Sequence, residues 1–408
     1  MLGRRRLAPS SAFMLTTRIF SPGIQIQSER MWLLTWSPST ASYPVLWARP
    51  GIRCGGSHIT RYRDLGSQQN EDLMRVAAVD IGTNSTRLLV ADTEGDGLST
   101  IVRTTTITRL GEGVSSERII KLEAMERTCA LLCEYSRTIR SLGADRVGAI
   151  ATSACRDASN HEEFFVKVED SLGVRPTLLS GQAEAMLSFA GAIGAWPDAG
   201  PGPILVVDIG GGSTELALGL QESKSGPNSI LSYSDDEPLV FPGISLMGWA
   251  SLDIGCVRLT ERFLHSNPPR AEELSEALRE VNCCLVSAER EFPARSARSF
   301  VGLAGTVTSL AAMDLGLESY DPDAVHHHRL GRRQVEELFR YLATTPKEEL
   351  RNEPGLEPKR ADVIVGGTVV LVAILRRWEF EEVIVSEADI LDGAALAISL
   401  GLLGSDAA

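Results

Sequence analysis

The sequence predicts an α/β protein of two similar halves with a ligand cleft between them, and three observations carry that reading. From residue 74 onward, apolar strand-like runs alternate with amphipathic helix-like runs, the pattern of sheets covered by helices. A short motif, D-I-G-x-x-S, occurs as DIGTNS at 80–85 and again as DIGGGS at 208–213, 128 residues later, each copy between two apolar runs. The 408-residue length exceeds what one core fills, and a Pro/Gly stretch, AWPDAGPGP at 195–203, falls between the copies.

Residues 1–73 scatter Ser, Pro, Gly and Trp without a period, and are expected to be a disordered or non-native leader, with the working chain starting at Met74. RVAAVD (75–80) and TRLLVAD (86–92) then read as strands flanking the first turn, and TIVRTTTITRL (100–110) is β-rich. In 122–142, Leu122, Met125, Cys129, Leu132, Ile139 and Leu142 recur at helical spacing, so this is an amphipathic helix; RVGAIAT (146–152) is a buried strand. The Pro/Gly stretch sets the expected boundary between a first domain, 74–202, and a second, 203–389. In the second half come the glycine turn between two strands, helices at 257–265 and 270–290, the strand and turn FVGLAGT (300–306), and a helix at 331–344. A buried helix at 361–377, a strand at 382–386 and a last apolar helix at about 390–403, expected to pack back on the first domain, complete the chain.

Composition narrows the function classes. The longest uncharged run, VIVGGTVVLVAIL (363–375), is shorter than the roughly 18 residues a membrane span needs, so no membrane association is expected. Residues 1–73 carry nine arginines and four acids, net +5, which leaves −18 of the total −13 on residues 74–408; an acidic body excludes broad nucleic-acid coating. Seven cysteines without a C-x-x-C pair or zinc spacing fit a reducing compartment, and a cytoplasmic location is expected.

The two D-I-G-x-x-S turns suit one chemistry. Glycine turns let consecutive backbone N–H groups approach a phosphate, and Gly210, Gly211, Gly212 and Ser213 suit that task opposite Gly82, Thr83, Asn84 and Ser85. Asp80 and Asp208 end buried strands beside these turns, where a hard divalent cation, Mg2+ or Mn2+ in its place, would offset the cost of burying them. ATSACRDASN (151–160) offers Arg156, either a phosphate ligand or a surface ion-pair partner. Glu184, in LLSGQAEAMLSFAGA (178–192), falls in the first turn of a helix, where a carboxylate complements the helix dipole or reaches the cleft as a general base. Gly305 and Thr306 in GLAGTVTSL (302–310) read as a third glycine turn before a helix, and Arg87 and Arg258 join the candidate phosphate ligands. His326, His327 and His328 are consecutive, cannot converge on one ion, and are expected in a surface loop.

Taken in order, VAAVDIGTNSTRLLVAD, ATSACRDASN, LSGQAEA, LVVDIGGGSTELALG, LDIGCVRLTERF, GLAGTVTSLAA and SEADILDGAAL resemble the exopolyphosphatase and guanosine pentaphosphate phosphohydrolase family (Ppx/GppA) over residues 74 to about 400. The resemblance implies a two-domain actin-like ATPase fold, each domain an RNase H-like mixed sheet with helices, and an active site in the interdomain cleft. It implies Mg2+-dependent removal of terminal phosphate from inorganic polyphosphate, or of the 5' γ-phosphate from pppGpp, by a homodimer. Glu184 takes the place of the family's catalytic base, Asp208 and Glu215 those of its aspartate and glutamate, and Arg156 that of its phosphate-facing arginine. Ala183 stands where many relatives have a second glutamate, and no His-Asp dipeptide of the longer relatives' C-terminal region occurs; short-chain polyphosphate is therefore the expected substrate. The competing classes are an actin-fold phosphotransferase, for which no acceptor-site motif is found, and a non-catalytic nucleotide sensor, against which Glu184, Asp208 and Glu215 stand intact.

Overall fold

The computed structural model describes residues 73–94, 97–194, 196, 201–222, 239–290 and 292–406, so residues 1–72 of the expected leader and residues 195 and 197–200 of the 195–203 linker lie outside the described residues. Twelve strands among them form two sheets. The first holds β1 (Met74–Ile81), β2 (Ser85–Glu94), β3 (Gly97–Ile107), β4 (Arg146–Ala151), the short β5 (Thr177–Leu178) and β12 (Ser405–Asp406). The second holds β6 (Ile204–Ile209), β7 (Thr214–Gln221), β8 (Ile244–Leu252), β9 (Ser299–Leu303), β10 (Arg329–Gly331) and β11 (Glu382–Val385).

The two sheets repeat one topology. In the first, β1 pairs antiparallel with β2, β2 antiparallel with β3, β1 parallel with β4 and β4 parallel with β5. In the second, β6, β7, β8, β9 and β11 pair in the same order and senses. β3 stops at Ile107, short of the expected Leu110, because residues 108–111 turn inward to donate backbone hydrogen bonds to the first D-I-G-x-x-S turn.

Nine helices of eight residues or more lie among the described residues: α1 (Leu122–Leu142), α2 (His161–Leu172), α3 (Gly181–Gly194), α4 (Cys256–Phe263), α5 (Ala271–Ala288), α6 (Ala304–Asp314), α7 (Arg332–Thr344), α8 (Ile364–Trp378) and α9 (Ile390–Ser399). Of the stripe read in the sequence, Met125, Leu132 and Ile139 are buried, Cys129 and Leu142 half-buried and Leu122 exposed; the buried face of α1 packs with α2 on one face of the first sheet, against Ala77, Val79, Leu88 and Val90. Helices α4, α5, α7 and α8 cover the far face of the second sheet.

Both faces of each sheet are covered, which is why β1 and β6 are almost wholly apolar rather than alternating. On the inner faces lie α3 and α9. α9 packs on β1, β2 and β4, whereas α3 packs on β6, β7 and β8 although it precedes the linker, and the two helices pack on each other. Their crossing is a backbone contact: a Cβ at Gly191 would lie 1.9 Å from the Asp389 carbonyl oxygen, and one at Gly393 2.0 Å from that of Leu187.

The histidine loop departs from expectation. His326 to His328 are half-buried; His326 stacks on His327 at 3.8 Å and accepts the Glu387 N–H, and His328 pairs with Asp314 at 2.8 Å. Burial, with His327 and Arg103 nearby, pushes His326 down to about 4, so its ring is neutral and serves as an acceptor. The six described cysteines are free, and no helix among the described residues is long and apolar enough to cross a membrane.

Because helix backbone rather than a flexible side chain opposes Gly393, Gly393→Ala is expected to lower unfolding free energy by about 3 kcal/mol, the upper range for overpacking a close contact. Urea denaturation measures it; a loss below about 0.5 kcal/mol would mean that the helices part freely.

Candidate active site

Strand periodicity fixes where the site forms. Asp80 shares a strand face with Ala78, and Asp208 with Val206, so both carboxylates point to the inner faces on which α3 and α9 lie. Across the hairpins, Asp80 is paired with Arg87 and Asp208 with Glu215, while Glu215 is paired in turn with Ser251. Each hairpin thus presents a row of side chains into a cavity of about 790 Å³. α3 adds Glu184 and Ser188, one turn apart on a single helix face; Ser180 accepts the Ala183 N–H at the start of that helix, and Ser188 donates to Asp208 at 3.0 Å.

The two D-I-G-x-x-S turns are tied down by their carbonyl oxygens. Cys256 and Val257, at the start of α4, donate to the carbonyls of Gly210 and Gly211, and Arg258 Nε donates to that of Gly212 at 2.6 Å. In the first turn the Thr83 and Asn84 carbonyls accept from Gly111, Thr108 and Arg109. In a trans peptide the N–H opposes the C=O, so the N–H groups of Gly211, Gly212 and Ser213, and those of Asn84 and Ser85, point away from these anchors. Two concave arrays of backbone donors result, the arrangement that receives anions. Gly211 and Gly212 also have a packing reason to lack side chains: a Cβ on Gly211 would lie 2.9 Å from Thr83 Cβ, and one on Gly212 2.7 Å from Ser153 Oγ.

Of the residues singled out in the sequence, Asp80, Asn84, Ser85, Arg87, Glu184, Asp208, Gly210, Gly211, Ser213, Glu215, Gly305 and Thr306 line the cavity together. Gly212 and Arg258 instead line a small hollow behind the second turn, where Arg258 is also paired with Asp157. Arg156 lies behind Glu184, giving Nη1 to its Oε1 and to the Leu179 carbonyl. Gly305 is not a turn before a helix but part of the first turn of α6, which opens at Ala304 with φ +66°, and the Arg360 guanidinium lies over it.

Negative charge dominates the interior. Asp80, Glu184, Asp208 and Glu215 are all buried, and burial raises the proton affinity of each. Glu184 is raised well above the usual range by burial and then by Glu215, against the opposing Arg156. Asp208 is pushed up to about 7 by burial, then by Asp389 and Glu215. Arg87 has its fork occupied: Nε and Nη2 contact Asp80 Oδ2 at 2.8 and 2.7 Å, and Nη1 contacts Asp389. Asp80 Oδ1 is buried without any hydrogen-bond partner.

That orphaned oxygen and the excess of carboxylate fit a hard divalent cation. Among the described residues no three acidic, histidine or cysteine side chains form a ready-made metal cage. Mg2+ does not require one, since it is held by one or two carboxylates with phosphate oxygens and water completing its shell. Asp80 and Asp208 are the residues that would hold it.

The model of the Ppx/GppA phosphatase family matches residues 89–398. The chain belongs to that family. Exopolyphosphatase 2 of Mycobacterium tuberculosis is 41% identical over 342 residues, which cover 80% of this chain and 99% of that protein. Among solved structures, an exopolyphosphatase-like protein is 35% identical with a TM-score of 0.72, covering 81% of this chain and 100% of its own. The Ppx/GppA enzyme of Aquifex aeolicus is 30% identical with a TM-score of 0.64, covering 80% and 99%. The twin sheets are those of the actin-like ATPase fold, and this Ppx/GppA member is a phosphatase by family.

Residues the sequence reading passed over also shape this site. Asp389 sat in the quoted SEADILDG run, and an acid just before an apolar helix signals an N-cap, which it is: its Oδ1 accepts the Leu391 N–H. Arg103 and Arg360 line the cavity with no local sequence pattern to mark them.

Glu184 holds its proton more tightly in the folded state, so its contribution to stability is full below the unfolded pKa and is lost as pH rises through the raised folded value. Stability of the cation-free protein is therefore expected to fall as pH rises from about 4 to about 7, the value to which Asp208 is raised, and Glu184→Gln to make that fall shallower. Urea midpoints at the two pH values test this; an equal fall in parent and variant refutes it.

Proposed function

We propose that this Ppx/GppA protein hydrolyses the terminal phosphoanhydride bond of inorganic polyphosphate, short chains above all, and releases phosphate. The observation that carries the reading is the cavity lining, which brings two matched glycine turns together with Glu184, a carboxylate whose proton affinity is raised. The 41% identity to an exopolyphosphatase supports the substrate class.

In this reading the turns at 82–85 and 210–213 hold the terminal phosphoryl oxygens, and Glu184 orients a water and takes its proton during in-line attack on phosphorus. A base with raised proton affinity is well matched to work near neutrality. Arg156, hydrogen-bonded to Glu184 and the Leu179 carbonyl, fixes the direction of that carboxylate. Mg2+ bound by Asp80 and Asp208 would neutralise charge on phosphate oxygens. Such transfer depends on positioning and electrostatics and needs no covalent nucleophile.

The preference for short chains follows from the outer wall. Glu318, Glu353 and Glu387 line it, and its arginines are already paired, Arg103 with Asp392, Arg351 with Asp362 and Arg360 with Glu357. A long polyanion would have to lie along these carboxylates.

Phosphate release by the 408-residue chain with Mg2+, from tripolyphosphate, long polyphosphate and pppGpp in parallel, tests the function. Glu184→Gln is expected to lower kcat on tripolyphosphate by roughly 10²–10⁴-fold with KM little changed. Release from pppGpp alone would transfer the activity to that substrate, and no release from any would exclude hydrolysis. Separately, Glu353→Gln with Glu357→Gln is expected to raise kcat/KM for long chains about fivefold relative to tripolyphosphate; an unchanged ratio removes the outer wall from the account of chain length.

A further inference from the structure

We propose that Asp389 is a positioning residue: through Arg87 it holds Asp80 with one carboxylate oxygen bare, ready for the divalent cation. The inference rests on the cation reading above and goes beyond it, since it assigns a role to a residue that is not itself a ligand.

Asp389 is held rigidly from three sides. Its Oδ1 accepts the Leu391 N–H, its own N–H donates to Asp392 Oδ2 at 2.8 Å, and its carbonyl abuts Gly191 at the α3–α9 crossing. From this fixed point Oδ2 takes Nη1 of Arg87. The rest of the Arg87 fork, Nε and Nη2, falls on a single oxygen of Asp80, Oδ2, while Oδ1 stays buried and unpartnered.

An arginine facing one carboxylate ordinarily binds it through both oxygens in a parallel fork. Here Nε and Nη2 both fall on Oδ2 while Asp389 takes Nη1, and in the proposed arrangement this hold on Nη1 keeps the guanidinium turned off Oδ1. One guanidinium is shared by two carboxylates, the trio carries a formal charge of −1, and Asp80 Oδ1 remains open. Without the charge of Asp389, Arg87 would be free to turn onto both oxygens of Asp80, cancelling its charge and closing the oxygen a cation needs. The twin hairpin has Glu215 where this one has Arg87, so its aspartate, Asp208, meets no such clamp.

The test is Mn2+ binding to the full-length chain without substrate, followed by the EPR signal of free Mn2+. Asp389→Asn keeps the helix cap, since Asn caps as well as Asp, and replaces the charged oxygen that holds Arg87 by an NH2 group that cannot accept from it. It is expected to weaken Mn2+ binding about tenfold, whereas Asp392→Asn, which removes the charge paired with Arg103 and leaves one acceptor oxygen for the capping box, changes it less than about twofold. Combined with Arg87→Gln, Asp389→Asn should lose most of its effect, because the residue it acts through is gone. Parent-like binding by Asp389→Asn overturns the proposal. So does an equal loss in Asp392→Asn, which would mark a structural effect, or an undiminished loss in the Arg87→Gln background, which would mark direct attraction. If the parent itself binds no Mn2+, the cation reading falls and this inference with it, an outcome distinct from the other three.

Discussion

The backbone contact between α3 and α9 is the constraint on which the rest depends. Two helices meeting at Gly191 and Gly393 without side chains between them lie close enough to occupy the space between the two sheets. Each helix then brings a chemical group to the same place. Glu184 and Ser188 come from α3, and Asp389 comes from the first turn of α9, although more than two hundred residues separate them. A bulkier residue at either glycine would separate the base from the carboxylates it must act beside. The most consequential positions for the active site therefore include two that never face the cavity.

Within that frame, the twin hairpins show how duplication yields chemistry. Both carry an aspartate at the end of the first strand and the residue seven positions on directly opposite it. In one, the opposite residue is Arg87 and the pair is an ion pair. In the other it is Glu215, and the pair is two like charges buried together, one cause of the high proton affinity of Asp208. A symmetric pair of ion pairs would have been more stable and chemically inert. A single exchange of sign leaves one half as a clamp and the other as a store of negative charge.

Much of this was legible in the sequence. Strand-ending aspartates and glycine turns are local signals, so the twin hairpins, the helix carrying Glu184 and the long amphipathic helix at 122–142 could be read directly. What could not be read depends on distant partners. Arg156 and Arg258 read in the sequence as candidate phosphate ligands, yet which side of the turn each guanidinium occupies depends on Glu184 and Asp157, and sequence spacing does not encode that. The histidine loop misled because a run of three polar residues resembles surface, whereas the Glu387 N–H and Asp314 give two of the rings partners in a half-buried setting. Gly305 read as a turn because the guanidinium that lies over it belongs to Arg360, 55 residues away.

A cavity lined by nine carboxylates and four arginines is a paradoxical place for a polyanion, and the paradox bears on specificity. Backbone N–H groups carry no net charge and cannot reverse the field; they favour an anion only within hydrogen-bond reach. The inner half therefore accepts phosphate where donors and a cation act together on the terminal group. The outer half carries the Glu318, Glu353 and Glu387 carboxylates, and its arginines are already paired. Each further phosphate on a chain thus gains less than the one before it, and beyond the reach of the turns it meets net repulsion. On the proposed reading, chain-length preference needs no separate ruler: it follows from where the backbone donors stop.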